Sequence, residues 1–343
     1  MRRTYFIAFV FVIGFLFSCT NDKKENKPTS SLTAKEAVRL NQVIYKEHPA
    51  EAFLTYSPEY EVVFSPQAVE GNYAVIVKNK SAEQYALVVR GSLIEFSNEG
   101  FQNFVMQDFN IFTIKPWKYT DSIQEAYISN GAWIGFQNLL QLKDNSTGLG
   151  LKEFIEQKIP AAASLVVTGH SLGGNLAYPL AGYLKDKLNS NLKKNLQLIT
   201  FGAPAAGNAA FVKDLEEKFP DAERYVTEKD IAPVFPDIDK MEEVARLTGL
   251  DRVLQISQLN LGGLEKEIDA GKILKIAGEI LKKTNVINET NQYVQSKKHL
   301  RMLKDTRGIS PDSSLSVEAI FNNAYQFHKI DMYAELLGAG KLD

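Results

Sequence analysis

The sequence predicts an α/β protein, with a mostly parallel sheet flanked by helices. Two observations carry that expectation. Short β-branched apolar runs alternate with a helical segment, and strand, helix, strand in close succession is how a helix-wrapped parallel sheet is encoded. A glycine-bounded serine, Gly169-His170-Ser171-Leu172-Gly173-Gly174, stands where one of those runs meets that helix. The composition permits such a fold, because 45% of the 343 residues are hydrophobic and 23% are charged. Lys+Arg 39 against Asp+Glu 41 leaves a formal net charge of −2. No basic excess points to nucleic acid, and no acidic excess points to disorder. A single cysteine excludes an internal disulfide and argues against a cysteine-based metal cluster.

At the amino terminus, Arg2 and Arg3 precede an apolar run from Tyr5 to Phe17. That run is short of the roughly 20 residues a membrane-spanning helix needs. A basic start and a short apolar run describe a secretory signal peptide over residues 1–18. The only cysteine follows directly in Leu16-Phe17-Ser18-Cys19, which resembles the lipobox of a bacterial lipoprotein. The resemblance implies that Cys19 becomes the mature N-terminus and carries acyl chains, which hold the exported protein to a membrane of the cell envelope. An ordinary cleaved signal that leaves a free thiol is the alternative. Acyl chains contribute about 0.8 kcal/mol per buried methylene, and two or more anchor stably. Residues 20–33 are nearly all polar and read, with Cys19, as an acylated tether spanning 19–33. The folded body is expected over 34–343.

Within the body, residues 72–78 and 85–90 are β-branched runs bounded by polar turns and read as strands. Residues 164–168 and Leu196–Phe201 are mainly apolar runs, of the kind that strands buried on both faces show. Residues 172–188 read as a helix, with Ala177, Leu180, Ala181 and Leu184 at helical spacing. Glu223–Thr227 is a weaker strand. Residues 237–305 carry almost no strand signal. There Ile273, Ile276, Ala277, Ile280 and Leu281 share one helical face, opposite Lys272, Lys275, Glu279, Lys282 and Lys283. That region reads as a helical insertion, either a packed accessory layer or a membrane-facing cap.

The glycine pattern has a chemical reading because a serine on a strained strand-to-helix turn needs glycines around it. Side chains at Gly169 and Gly173 would collide with the neighbouring strand and helix. The turn lifts the Ser171 hydroxyl above the sheet, and the helix start aims backbone N–H groups at any oxyanion formed there. A plain glycine-rich turn is the alternative. A serine hydroxyl alone is a poor nucleophile, so it requires a base and a group that orients the base. For a serine on such a turn the chain order is serine, acid, histidine. Only His299 and His328 follow Ser171. His299 lies among cations in Ser296-Lys297-Lys298-His299-Leu300-Arg301, which would oppose an imidazolium, and reads as solvated surface. His328, in a more apolar segment, is the favoured base. His48 precedes the serine and reads as surface. His170, at the variable position of the turn, is expected to point away from the nucleophile and to pack or hydrogen-bond locally. Asp230, just past the strand Glu223–Thr227, is the favoured acid, since loops at the carboxyl ends of strands are where such sheets place functional groups. A turn cap before Pro233 is its alternative role. Asp214, Asp221, Asp237 and Asp239 read as surface residues.

Taken in order, Val88-Val89-Arg90-Gly91-Ser92, Gly135-Phe136, the serine turn, Thr200-Phe201-Gly202-Ala203-Pro204, Gly207-Asn208, Asp230-Ile231-Ala232-Pro233 and His328 form a series. It is similar to the class 3 lipases, the fungal-lipase-like triacylglycerol lipases, over roughly residues 60–237 and 320–336. The resemblance implies an α/β-hydrolase fold with a helical insertion before the catalytic histidine. It implies Ser171 as nucleophile, Asp230 and His328 as its partners, and an oxyanion hole from the backbone N–H groups of Ser92 and Leu172. It implies a lipid ester substrate and no metal or cofactor. The family carries a mobile lid between Ser92 and Gly131, where this chain has Phe96, Phe101, Phe104, Val105, Met106, Phe109, Ile111, Phe112, Ile114, Trp117 and Tyr119. Ordinary core packing is the other reading of those residues. The chain departs from the family pattern in three places. Trp133-Ile134, not histidine, precede Gly135; Ala232 and Val234 replace commoner residues beside the acid; and a long insertion separates Asp230 from His328. The expected function is therefore a serine carboxylic-ester hydrolase, first a triacylglycerol lipase. A phospholipase A1 or another esterase comes next, and a non-catalytic lipid- or glycan-binding lipoprotein last.

Overall fold

The computed structural model describes residues 31–91, 113–121, 124–189, 191–251, 292–308 and 316–342. Two helices open the body, α1 (Ala34–Val43) and α2 (Pro49–Tyr56), followed by strands β1 (Tyr60–Phe64), β2 (Ala74–Asn79) and β3 (Gln84–Val89). A short pair, β4 (Ile114–Pro116) and β5 (Tyr127–Ser129), leads into α3 (Asn130–Leu140) and α4 (Leu151–Lys158). Then come β6 (Ser164–His170), α5 (Leu172–Lys187), β7 (Leu196–Phe201), α6 (Ala209–Lys218), β8 (Glu223–Thr227) and α7 (Ile238–Thr248). The described chain closes with β9 (Leu300–Leu303), α8 (Val317–Gln326) and α9 (Ile330–Leu336).

Seven strands form one sheet in the order β1-β2-β3-β6-β7-β8-β9. The β1–β2 and β2–β3 pairs are antiparallel, and every pair from β3–β6 to β8–β9 is parallel. Successive strand residues face opposite sides, so a strand covered on both faces carries apolar residues on both. In β6, Leu165 and Val167 join the core under α3, α4, α5 and α6, while Val166 joins the one under α1, α2 and α9. In β2, Ile76 goes to the first core and Val75 and Val77 go to the second. Each fully buried side chain of this size contributes roughly 1.5–3 kcal/mol.

The expected strands and the helix after Ser171 are present, with ends within two residues of the sequence reading. One correction concerns 237–305. Residues 300–303 form an edge strand, β9, that pairs Arg224–Thr227 of β8 with Leu300–Leu303. The sequence hides it because an edge strand is bonded on one side only and keeps half its residues wet, here among Lys297, Lys298, Arg301 and Lys304. The amphipathic face built on Ile273 lies outside the described residues. Of the residues read as lid or core, Trp117 is core, Tyr119 packs half-buried against it, and Ile114 is half-buried in β4. Trp117 packs edge-on against Phe136 and Phe211, at 5.4 and 5.5 Å between ring centroids. Its segment is tied to α6, where Asp121 N–H donates to Asp214 and Lys218 donates to the Tyr119 carbonyl. Residues 92–112, the remainder of the lid expectation, lie outside the described residues.

Candidate active site

The parallel strands all end at the same edge of the sheet, and the site is assembled there. Ser171 is the single residue between β6 and α5, held at φ 58° and ψ −129°. A non-glycine residue at positive φ is strained by roughly 1–3 kcal/mol, and the surroundings enforce it. A Cβ on Gly169 would lie 2.3 Å from the Gly173 carbonyl, and one on Gly173 would lie 2.2 Å from the Val89 carbonyl. Neither distance admits a carbon atom, so only glycine lets α5 start this close to β6 and β3. The tight turn places the Ser171 N–H on the Phe201 carbonyl at 3.0 Å and leaves its side chain at the strand end.

Asp230 stands three residues beyond β8, and His328 sits in the turn between α8 and α9. The structure brings both to Ser171 from distant positions. His328 Nε2 lies 2.7 Å from Ser171 Oγ, and His328 Nδ1 lies 3.0 Å from each oxygen of Asp230. All three are buried, at 5%, 4% and 1% exposure for Ser171, His328 and Asp230. A carboxylate can only accept, so Nδ1 carries the proton and Nε2 offers its lone pair to the serine O–H. Asp230 accepts two further hydrogen bonds, from the Ala232 N–H at 2.9 Å and from the Tyr333 hydroxyl at 2.6 Å. Burial, and then the charge of Asp230, push the Tyr333 phenol well above its ordinary range, so it remains an O–H donor. The buried carboxylate is thus satisfied on every side, as a charge in a low-dielectric site must be.

The Leu172 amide opens α5, at the positive end of its dipole, where amides have no acceptor within the helix. Ser92, the second expected oxyanion donor, and Cys19 both lie outside the described residues.

The other expected histidines and acids fall into place differently. His299 is a correction: it is buried, at 4% exposure, not solvated. Its main chain takes part in pairing with β8, accepting from the Arg224 N–H, and its ring lines a small cavity with Tyr178, Leu198 and Arg224. Burial first of all lowers its pKa. It makes no bond to Ser171 or Asp230. Asp214 is a second correction, a buried acid paired with Lys218 at 2.8 Å rather than a surface residue. Asp237 caps α7 through the Lys240 N–H, and Asp221, Asp239 and His48 are exposed.

Three contributors escaped the sequence reading. Tyr333 lies one turn into α9 from the histidine turn, a tyrosine at short spacing after His328, and that spacing was its only signal. His170 does not simply pack locally: its Nε2 is 2.7 Å from the His328 carbonyl, and its Nδ1 is 3.0 Å from the hydroxyl of Tyr45. Nothing in the sequence around Tyr45, 126 residues earlier by number than His170's neighbour Ser171, announces that contact.

A model of the class 3 lipase family matches residues 99–240, a stretch that contains Ser171 and Asp230. Among solved structures, the chain is similar to M37 lipase, at 24% identity over 90% of this chain and 95% of that one, with a TM-score of 0.66. It is also similar to lipase II from Rhizopus niveus, at 19% identity over 60% of this chain and 74% of that one, with a TM-score of 0.46. The fold is that of the α/β-hydrolases, and the family match supports a serine ester hydrolase.

Proposed function

We propose that the chain is a lipase of the class 3 type, cleaving lipid esters and triacylglycerols first among them, through a Ser171–His328–Asp230 triad and an acyl-enzyme. One observation carries the reading: the continuous hydrogen-bonded line from Ser171 Oγ through His328 to Asp230, at 2.7 and 3.0 Å. His328 Nε2 takes the hydroxyl proton as Ser171 Oγ bonds to the ester carbonyl carbon, and Asp230 holds the imidazole in the tautomer that can do so. The Leu172 N–H, with Ser92 as the second donor, stabilises the tetrahedral oxyanion; such a donor is typically worth about 2.7–4 kcal/mol. The intermediate collapses, the C–O bond to the alcohol breaks, and His328 returns the proton to that oxygen. A water deprotonated by the same nitrogen then attacks the acyl carbon, the bond to Ser171 Oγ breaks to release the fatty acid, and His328 returns the proton to Oγ.

The substrate is open to a direct assay. The purified protein, offered triolein, phosphatidylcholine and p-nitrophenyl butyrate in parallel, is expected to release fatty acid fastest from the triacylglycerol. Preference for the sn-1 ester of the phospholipid makes it a phospholipase A1. Cleavage of the short ester alone makes it an esterase, and no cleavage at all leaves the non-catalytic reading.

The leader supports an exported lipoprotein of the cell envelope, with Cys19 acylated and residues 19–33 tethering the body 34–343. Expressed in a bacterium with lipoprotein processing, the protein is expected in the membrane fraction and Cys19→Ser in the soluble one. Equal membrane retention of the two would sink the anchor.

A further inference from the structure

Resting on the reading that His328 is the base, we propose that His170 is a positioning residue for it. The His170 Nε2–H donates to the His328 carbonyl oxygen at 2.7 Å and fixes the main chain from which the imidazole reaches Ser171. A carbonyl oxygen can only accept, so this contact puts the His170 proton on Nε2. Nδ1 is then a lone-pair acceptor, and the Tyr45 hydroxyl, 3.0 Å away, donates to it. Each ring nitrogen is thereby committed, and the tautomer is set by the bond at the far side of the ring. The two bonds tie three separate parts of the chain together: the segment just after α1, the end of β6 beside the serine, and the turn that bears the base.

The placement suits a support rather than a reactant. His170 and His328 rings stand 4.8 Å apart between centroids and are tilted by 34°. Tyr333, which holds the acid, also packs against the His170 ring at 6.0 Å. Burial, and then the neighbouring His328, hold His170 well below the ordinary histidine range. It therefore stays neutral, donates through Nε2, and places no positive charge beside the imidazolium that forms on His328 during the reaction. The base lies in a turn between two helices, where its N–H donates to the Tyr325 carbonyl of α8 at 2.9 Å and its own carbonyl accepts from His170. An error of about 1 Å in a reacting group can cost on the order of a hundredfold in rate.

Leucine at 170 matches the ring in bulk but cannot donate. Glutamine can bring an amide N–H to where Nε2–H stands. The test compares His170→Leu, His170→Gln and Tyr45→Phe with the unaltered full-length protein, by two readouts. One is the kcat and KM for p-nitrophenyl butyrate. The other is the low-field Nδ1–H proton of His328, observed by NMR in histidine-15N-labelled protein. His170→Leu is expected to lower kcat by about tenfold to a hundredfold. Its KM should stay within about twofold, the split expected when positioning at the reacting centre is lost rather than substrate binding. The low-field proton should shift or broaden. His170→Gln should recover most of both readouts, and Tyr45→Phe should fall between. The proposal is overturned by a His170→Leu protein with an unaltered resonance and kcat, or by leucine and glutamine variants equally impaired. If the leucine variant does not fold, an unaltered resonance and kcat in Tyr45→Phe overturn it as well. A protein that cleaves no ester, but whose His328 resonance is lost with leucine and regained with glutamine, keeps the positioning role and removes the hydrolase reading.

Discussion

Replacing Ser171 with alanine is expected to lower kcat for p-nitrophenyl ester hydrolysis by on the order of 10⁶, because it deletes the atom that bonds to the acyl carbon. Circular dichroism and thermal unfolding should show a folded protein, since the change removes one oxygen and no packing carbon. The backbone makes a second, opposite prediction at this position. With φ at 58°, Ser171 holds a conformation that glycine adopts without strain. Ser171→Gly is therefore expected to be as inactive as the alanine variant, yet more stable than the unaltered protein by about 1 kcal/mol, the strain relieved less the extra freedom of an unfolded glycine. A glycine variant less stable than the alanine variant would mean that the turn is not strained at the serine.

Asp230→Asn is the next largest effect. The buried carboxylate accepts from His328 Nδ1–H, Ala232 N–H and Tyr333 O–H, all within 3.0 Å. An amide offers one accepting oxygen and a donating nitrogen in the same volume. Where that nitrogen faces His328, the imidazole must place its proton on Nε2, and it can no longer accept from Ser171. Loss of the correct tautomer typically lowers kcat by on the order of 10⁴ with the geometry otherwise kept. The Ser171 hydroxyl is still present in this variant, so fluorophosphonate labelling should be slowed rather than abolished. Steady-state kinetics and labelling rates measured together check both halves. A loss below tenfold would show that the carboxylate does not orient the base.

The serine turn could be read from the sequence because its requirements are local. Two glycines at fixed offsets, an apolar strand before them and a helix after them all fall within a single stretch of chain. The strand Leu196–Phe201 is equally plain, since Leu196 and Leu198 on one face and Ile199 and Phe201 on the other outweigh Gln197 and Thr200. Chain order and counting single out Asp230 and His328 because few histidines follow the serine, and the structure brings those two residues to Ser171. The misreadings share one cause. His299 reads as surface because its sequence neighbours are cations, but Lys297 and Lys298 are exposed in the turn before β9 while His299 is buried. His170 reads as a residue that packs or hydrogen-bonds locally, because the variable position of the turn points away from the nucleophile. Its actual partners, Tyr45 and the carbonyl of His328, come from opposite ends of the chain. Contacts of that range are made by tertiary packing and leave no periodicity behind them.

Burial and two hydrogen bonds are expected to make one hydroxyl, at position 171, a nucleophile unlike the other serines of the chain. Mass spectrometry after treatment with a fluorophosphonate addresses it directly. One adduct per protein molecule is expected, on the peptide carrying Ser171, and none in Ser171→Ala. An adduct on a different serine, or an unmodified Ser171 in folded protein, would contradict it.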